Sequence, residues 1–180
     1  FKNKRDSDFG LAFHEPSAHW KFITFWHGLK QSYLIKSFRK NQMTEPLKEG
    51  DLFHVVAASS QISNKEDLHS GIKVLQDWGL ICNHLEAIDS SWGYLAGSDE
   101  HRFNELHPNS HFPLIAFARG GWGSARLLER QQPWKEGWMI GFSDLTSILL
   151  ARHASGFLGG VHGPLLNTLG TEPDWSKDRL

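Results

Sequence analysis

The sequence predicts an α/β fold, a mainly parallel sheet with helices on both faces. Five short apolar runs alternate with segments that carry helix caps or helical periodicity. Strands separated by helices need crossover connections, and crossovers make neighbouring strands parallel. The pieces expected to leave the carboxyl ends of these strands are Ser59-Ser60, Arg119 to Ser124, Ser143-Asp144 and His162-Gly163-Pro164. They are the polar and glycine-rich parts of the chain, and ligands of such sheets bind outside the carboxyl ends of the strands.

Each element has a local reason. Leu52 to Ala57 is a β-branched apolar run bounded by Gly50-Asp51 and Ser59-Ser60, which reads as a strand. Ser63-Asn64-Lys65-Glu66 has the form of a capping box. The helix after it carries Leu68, Ile72 and Leu75 on one face and stops at Gly79. Leu80-Ile81-Cys82 is a second strand, followed by a looser stretch containing Gly93 and Tyr94, then a helix over Asp99 to Leu106. Pro113 to Ala118 reads as the third strand, Ser124 to Arg130 as the start of a helix, and Trp138 to Phe142 as the fourth strand. Ser143 is expected to cap a helix bearing Leu145, Ile148, Leu149 and Arg152, and Phe157 to Val161 to form the fifth strand.

Composition narrows the function classes. A chain of 180 residues can bury a proper core. With 19 Lys and Arg against 20 Asp and Glu, its net charge of −1 supplies no global attraction to nucleic acid or an anionic membrane. No apolar run approaches the ~18–20 residues that span a bilayer. The single cysteine, Cys82, cannot form an internal disulfide or a cysteine zinc cluster and fits a reducing compartment. The charge is unevenly spread. Residues 1–42 hold eight Lys and Arg against three acids, whereas residues 43–180 hold 11 against 17. The first methionine is Met43, so the domain proper is expected to begin there, and residues 1–42 to be a basic, aromatic, poorly ordered or non-native extension without an assigned function. Residues 43–170 are expected to form the domain and 171–180 the start of a linker.

The segment Arg119-Gly120-Gly121-Trp122-Gly123-Ser124-Ala125-Arg126 joins an expected strand to an expected helix. Three readings are open. It can be an anion loop, although the third glycine of G-x-G-x-x-G is missing. It can be a nucleophile elbow, with Ser124 exposed above the sheet and the Ala125 N–H in an oxyanion hole, although Trp122 and Arg126 replace the flanking glycines of G-x-S-x-G. Or it is a tight turn with a capping serine.

With these residues in place, the chain resembles the LD-carboxypeptidase family of serine peptidases, the muropeptide carboxypeptidases and their microcin-immunity relatives. The resemblance runs through Leu47 to Asp51, Val55 to Ser60, Gly93 to Glu100, Ala118 to Leu128, Ile140 to Thr146 and His162-Gly163-Pro164, across about residues 47–168. Ala58 departs from the proline usual at that strand end. The resemblance implies a flavodoxin-like, class I amidotransferase-like domain. It implies cytoplasmic hydrolysis, without metal or cofactor, of the bond between an L-centre and a terminal D-amino acid in a muropeptide. Homodimers are common in the family. It maps the nucleophile onto Ser124 and implies that the triad glutamate and histidine come from a C-terminal domain expected to begin near Leu180. A serine alone needs a base. The 180 residues by themselves are therefore expected to be nearly inactive, on the order of 10⁶ below the complete triad. The alternatives are a non-catalytic flavodoxin-like domain that binds an anion or peptide, and a carboxypeptidase of microcin-type peptide–nucleotides. A class I amidotransferase is set aside, because its elbow nucleophile is a cysteine and Cys82 reads as part of a strand.

Other residues at the edge carry lesser roles. Arg119 can pair locally or face a substrate carboxylate. Trp122 can wall the pocket or pack on the sheet, Gly123, Gly93 and Tyr94 can shape the oxyanion hole or rim, and Asp144 can cap its helix. His162, at a strand end on the same edge, is the candidate inside the chain for a substitute base, but it is expected to be an oriented hydrogen-bonding residue beside Gly163-Pro164. His107 and His111 have the i, i+4 spacing of metal ligands, but Pro108 and Pro113 place them in an expected loop, so no metal is assigned. His54 is expected to face the core or a partner.

Overall fold

Alternation along β1 (Leu52–Val56) builds a two-sided core. Phe53 and Val55 face one side of the sheet, Val56 the other. A computed structural model describes residues 44–83 and 89–180, so the expected extension over 1–42 and the expected start at Met43 lie outside the described residues. On the first face, Phe53, Val55 and Ala57 pack with Leu68, Ile72 and Leu75 of α1 (Lys65–Asp77) and with Leu166 and Leu169 of α4 (Leu166–Leu169). On the second, Val56 and Ala58 pack with Leu106 of α2 (Asp99–Leu106) and with Ile148 and Leu149 of α3 (Thr146–Ala154). Each fully buried Leu or Ile side chain stabilises the fold by roughly 1.5–3 kcal/mol.

The remaining strands are β2 (Ile81–Asn83), β3 (Leu114–Phe117), β4 (Trp138–Gly141) and β5 (Gly160–His162). All neighbours run parallel in the order β2-β1-β3-β4-β5. The expected parallel α/β sheet is therefore present, in a doubly wound order that reverses direction beside β1. In sheets of this order ligands bind outside the carboxyl ends of the strands near the switch point, here the edge where β1 and β3 end.

Several boundaries differ from expectation. The cap of α1 is Asn64, one residue after Ser63, because the Asn64 side chain accepts from the N–H groups of Glu66 and Asp67. The helix expected over 124–130 is a 3₁₀ turn, Ala125–Glu129. Gln132 ends it by donating to the carbonyls of Leu127 and Arg130 at 2.6 and 2.8 Å. Ser143 does not cap α3. It opens a 3₁₀ turn, Ser143–Leu145, and α3 starts at Thr146 without a side-chain cap. The fifth strand starts at Gly160 because the buried Arg152 holds the Leu158 carbonyl at 2.6 Å. Arg152 also holds the carbonyls of Lys135 and Gly137, and burial lowers its pKa despite the nearby Glu136. The segment 171–180 contains a short helix, α5 (Asp174–Lys177). Among the described residues no helix is long and apolar enough to cross a membrane.

Candidate active site

Two strand-to-helix turns meet at the carboxyl edge of the sheet. The first follows β3. Gly121 and Gly123 have φ of 122° and 104°, conformations that L side chains rarely adopt. A Cβ on Gly121 would stand 2.1 Å from the Ser60 hydroxyl, which accepts the Trp122 N–H at 3.2 Å. The glycines thus let this turn close onto the end of β1. Fully buried Arg102 holds the pair together, donating to the carbonyls of Ala58 (2.6 Å) and Gly123 (3.0 Å) and to Asp99 (2.5 Å).

The expectation that Ser124 stands exposed above the sheet is corrected. Ser124 is 0% exposed and lies in the ordinary right-handed region, φ −65° and ψ −37°. Its hydroxyl faces inward, 2.7 Å from the Asp144 carbonyl and 3.0 Å from the Ser147 hydroxyl. It neither caps the following turn nor reaches solvent, so Ala125 is not the residue after an exposed nucleophile.

The second turn follows β4. Ser143 is exposed, and it is the only non-glycine with positive φ among the described residues, at 61°. Holding a side chain there costs on the order of 1–3 kcal/mol, and such strain gathers at functional sites. Gly141 precedes it by two positions because a Cβ there would stand 2.8 Å from the Phe117 ring. The segment Gly141-Phe142-Ser143-Asp144-Leu145 is therefore G-x-S-x-L, a strand, a sharp turn and a helical turn. Reading the sequence for glycine richness missed it, although it lies one glycine short of the G-x-S-x-G signature. Gly120 faces this serine: its Cβ would stand 2.9 Å from Ser143 Cβ and 3.0 Å from Oγ. Asp144 does not cap α3. Its carboxylate accepts from the Ser59 hydroxyl (2.5 Å) and the Ser124 N–H (2.9 Å).

The other expected residues divide. Gly93 and Tyr94 sit in a turn that bridges onto Ser60 through Leu95, so the looser stretch does flank the glycine turn, with Tyr94 exposed. Trp122 projects from the glycine turn, 75% exposed, and is not packed on the sheet. Arg119 makes no ion pair among the described residues; it donates to the Gln61 carbonyl at 2.8 Å. His162 meets the Thr146 hydroxyl at 3.2 Å and lies edge-on to Phe142. His107 and His111 pair separately with Gln132 and the Glu136 carbonyl, and burial lowers the His107 pKa. His54 is buried and stacked on Phe112, with its Nε2 3.3 Å from the Glu105 carbonyl. An open groove of about 540 Å³ beside His54, Glu105 and Phe112 shares no lining residue with either turn.

Comparison with known proteins gives this geometry a context. A protein of Synechocystis sp. with a provisional carboxypeptidase name is 39% identical over 142 residues, 75% of this chain and 46% of that protein. The murein tetrapeptide carboxypeptidase of Pseudomonas aeruginosa is 32% identical over 127 residues, 66% of this chain and 41% of that protein. The fold matches the microcin C7 self-immunity protein MccF with a TM-score of 0.66 at 24% identity, over 75% of this chain and 44% of that one. The chain thus spans less than half the length of the relatives it matches. The model of the LD-carboxypeptidase N-terminal domain matches residues 53–163. With that match over more than half of its length, the chain belongs to the LD-carboxypeptidase N-terminal domain family.

Proposed function

We propose that the chain carries the nucleophile half of a serine-type LD-carboxypeptidase acting on murein tetrapeptides, with Ser143 as the nucleophile. The observation that supports this is the exposed serine at φ 61° between β4 and a helical turn. Ser124 is not retained, since a buried hydroxyl between two oxygens cannot meet a substrate. In this reading Ser143 Oγ attacks the carbonyl carbon of the bond to the terminal D-residue. Its proton passes to a base and then to the leaving amine as the C–N bond breaks; water afterwards hydrolyses the acyl-enzyme. The Asp144 N–H, next after the nucleophile, is the expected first oxyanion donor. The backbone at Gly120, bare of a side chain beside Ser143, is the place for a second. Trp122 and Tyr94 are proposed to form the pocket rim.

Among the described residues no base is hydrogen-bonded to Ser143, and His162 is engaged by Thr146. The glutamate and histidine are assigned to a further domain, as the resemblance implies. The murein substrate is preferred to a peptide–nucleotide because the likeness to murein tetrapeptide carboxypeptidase extends to 32% identity, whereas that to the microcin-immunity protein is a likeness of fold. Cytoplasmic action and homodimerisation belong to the same reading. The test is labelling of the natural gene product with a fluorophosphonate, followed by peptide mapping. The adduct is expected on Ser143 and lost in Ser143→Ala. An adduct on Ser124 would overturn the assignment.

A further inference from the structure

Ser124 is buried at the junction of the two turns, and nothing in the reaction above uses its hydroxyl. Ser143, however, needs something to hold it in a conformation that is unfavourable by itself. The residue after it, Asp144, is anchored at both ends. Its carbonyl oxygen lies 2.7 Å from Ser124 Oγ and 2.8 Å from Ser147 Oγ. Its carboxylate accepts the Ser124 N–H at 2.9 Å and the Ser59 hydroxyl at 2.5 Å. Ser124 alone reaches both the main chain and the side chain of Asp144. The two hydroxyls of Ser124 and Ser147 have two protons for three contacts, since they also lie 3.0 Å from each other. At most two of these contacts are hydrogen bonds at one time, and neither proton is left for an outside partner.

We propose that Ser124 is a positioning residue: from behind, it fixes Asp144 so that Ser143 stays in its left-handed conformation and the Asp144 N–H keeps its aim. The glycine-rich turn then acts on the elbow from both sides, with Gly120 bare in front of Ser143 and Ser124 clamping the residue behind it. Ser59 ties the end of β1 to the same carboxylate, so the segments leaving β1, β3 and β4 are registered on one residue.

The proposal rests on Ser143 being the reactive hydroxyl, and its test separates the two. Amide hydrogen exchange over residues 143–147 is compared in the natural protein, Ser124→Ala and Ser124→Cys, along with thermal unfolding and the rate of fluorophosphonate labelling. In Ser124→Ala, exchange over 143–147 is expected to rise about threefold to tenfold, in line with losing one net hydrogen bond, while the amides of β1 and β3 keep their protection. Labelling of Ser143 is expected to slow by a similar factor. Ser124→Cys, which keeps a weak donor in the same space, is expected to recover part of both and serves alone if the alanine variant does not fold. Unchanged protection over 143–147, or a loss spread evenly over the whole domain, would overturn the positioning role. If the natural protein is not labelled at Ser143, the reading of the function fails, and the exchange comparison still decides whether Ser124 holds the turn.

Discussion

The turns after β3 and β4 leave the same sheet edge, each carries one serine, and each leads into a 3₁₀ turn, yet the serines are in opposite states. Ser124 is enclosed and relaxed; Ser143 is exposed and strained. Three of the four residues from Gly120 to Gly123 are glycine because Ser60, Leu95 and Ser143 come too close for side chains. Glycine richness here marks where other parts of the chain approach. The strained side chain marks where reactivity is expected. A turn can be rich in the residues associated with a site and still serve as its buttress.

If the glycine turn is the packed partner of the two, Gly121→Ala should be the most damaging change. The new methyl would meet Ser60 at a position with φ of 122°, and the Trp122 N–H would lose its acceptor. A loss of about 2–4 kcal/mol in urea unfolding is expected from combined backbone strain and overpacking. A loss below the error of that measurement would show that the two strand ends do not pack as tightly as described.

Ser143→Gly is expected to act in the opposite direction. Glycine removes the left-handed penalty, partly offset by its greater freedom in the unfolded chain, for a net gain of about 1 kcal/mol. Hydrolysis of a murein tetrapeptide should be abolished by the same change. Stability gained with function lost would separate the strained serine from the packed one. A clear loss of stability would mean that the Ser143 side chain supports the fold.

The smallest effect concerns the clamp under the glycine turn. Burial alone would raise the Asp99 pKa, but hydrogen bonds and charge from Arg102 and Arg126 outweigh it and hold the carboxyl below its ordinary value. A depressed pKa contributes stability above the unfolded value of about 3.9 and loses it as pH falls through the folded value. Unfolding by urea across about pH 5 to 2 should therefore show less acid sensitivity in Asp99→Asn, by under about 1 kcal/mol because Asp99 is partly solvated. An identical acid limb in both proteins would remove Asp99 from the clamp's energetics.

Much of the fold was legible because its causes are local. The spacing of Leu68, Ile72 and Leu75 marks the buried face of α1, and the apolar runs mark the strands. Boundaries slipped where a distant side chain intervened, as when Arg152 takes the Leu158 carbonyl and delays β5. The edge of the site was legible too, since the order of strand and helix carries Ser59, Gly120 and Ser143 to the same end of the sheet. The G-x-S-x-L pattern at Gly141 to Leu145 is equally local, as plain in the sequence as the glycine run.

The parallel sheet, the polar, glycine-rich carboxyl edge and the family can all be read from residues in order, because they follow from periodicity, crossover connections and contiguous motifs. That one serine is enclosed and relaxed and the other exposed and strained emerges only once the chain is folded. Burial and backbone strain depend on which groups converge from β1, β3 and β4. Those groups are up to 85 residues apart, as Ser59 and Asp144 are, and no local pattern records their meeting.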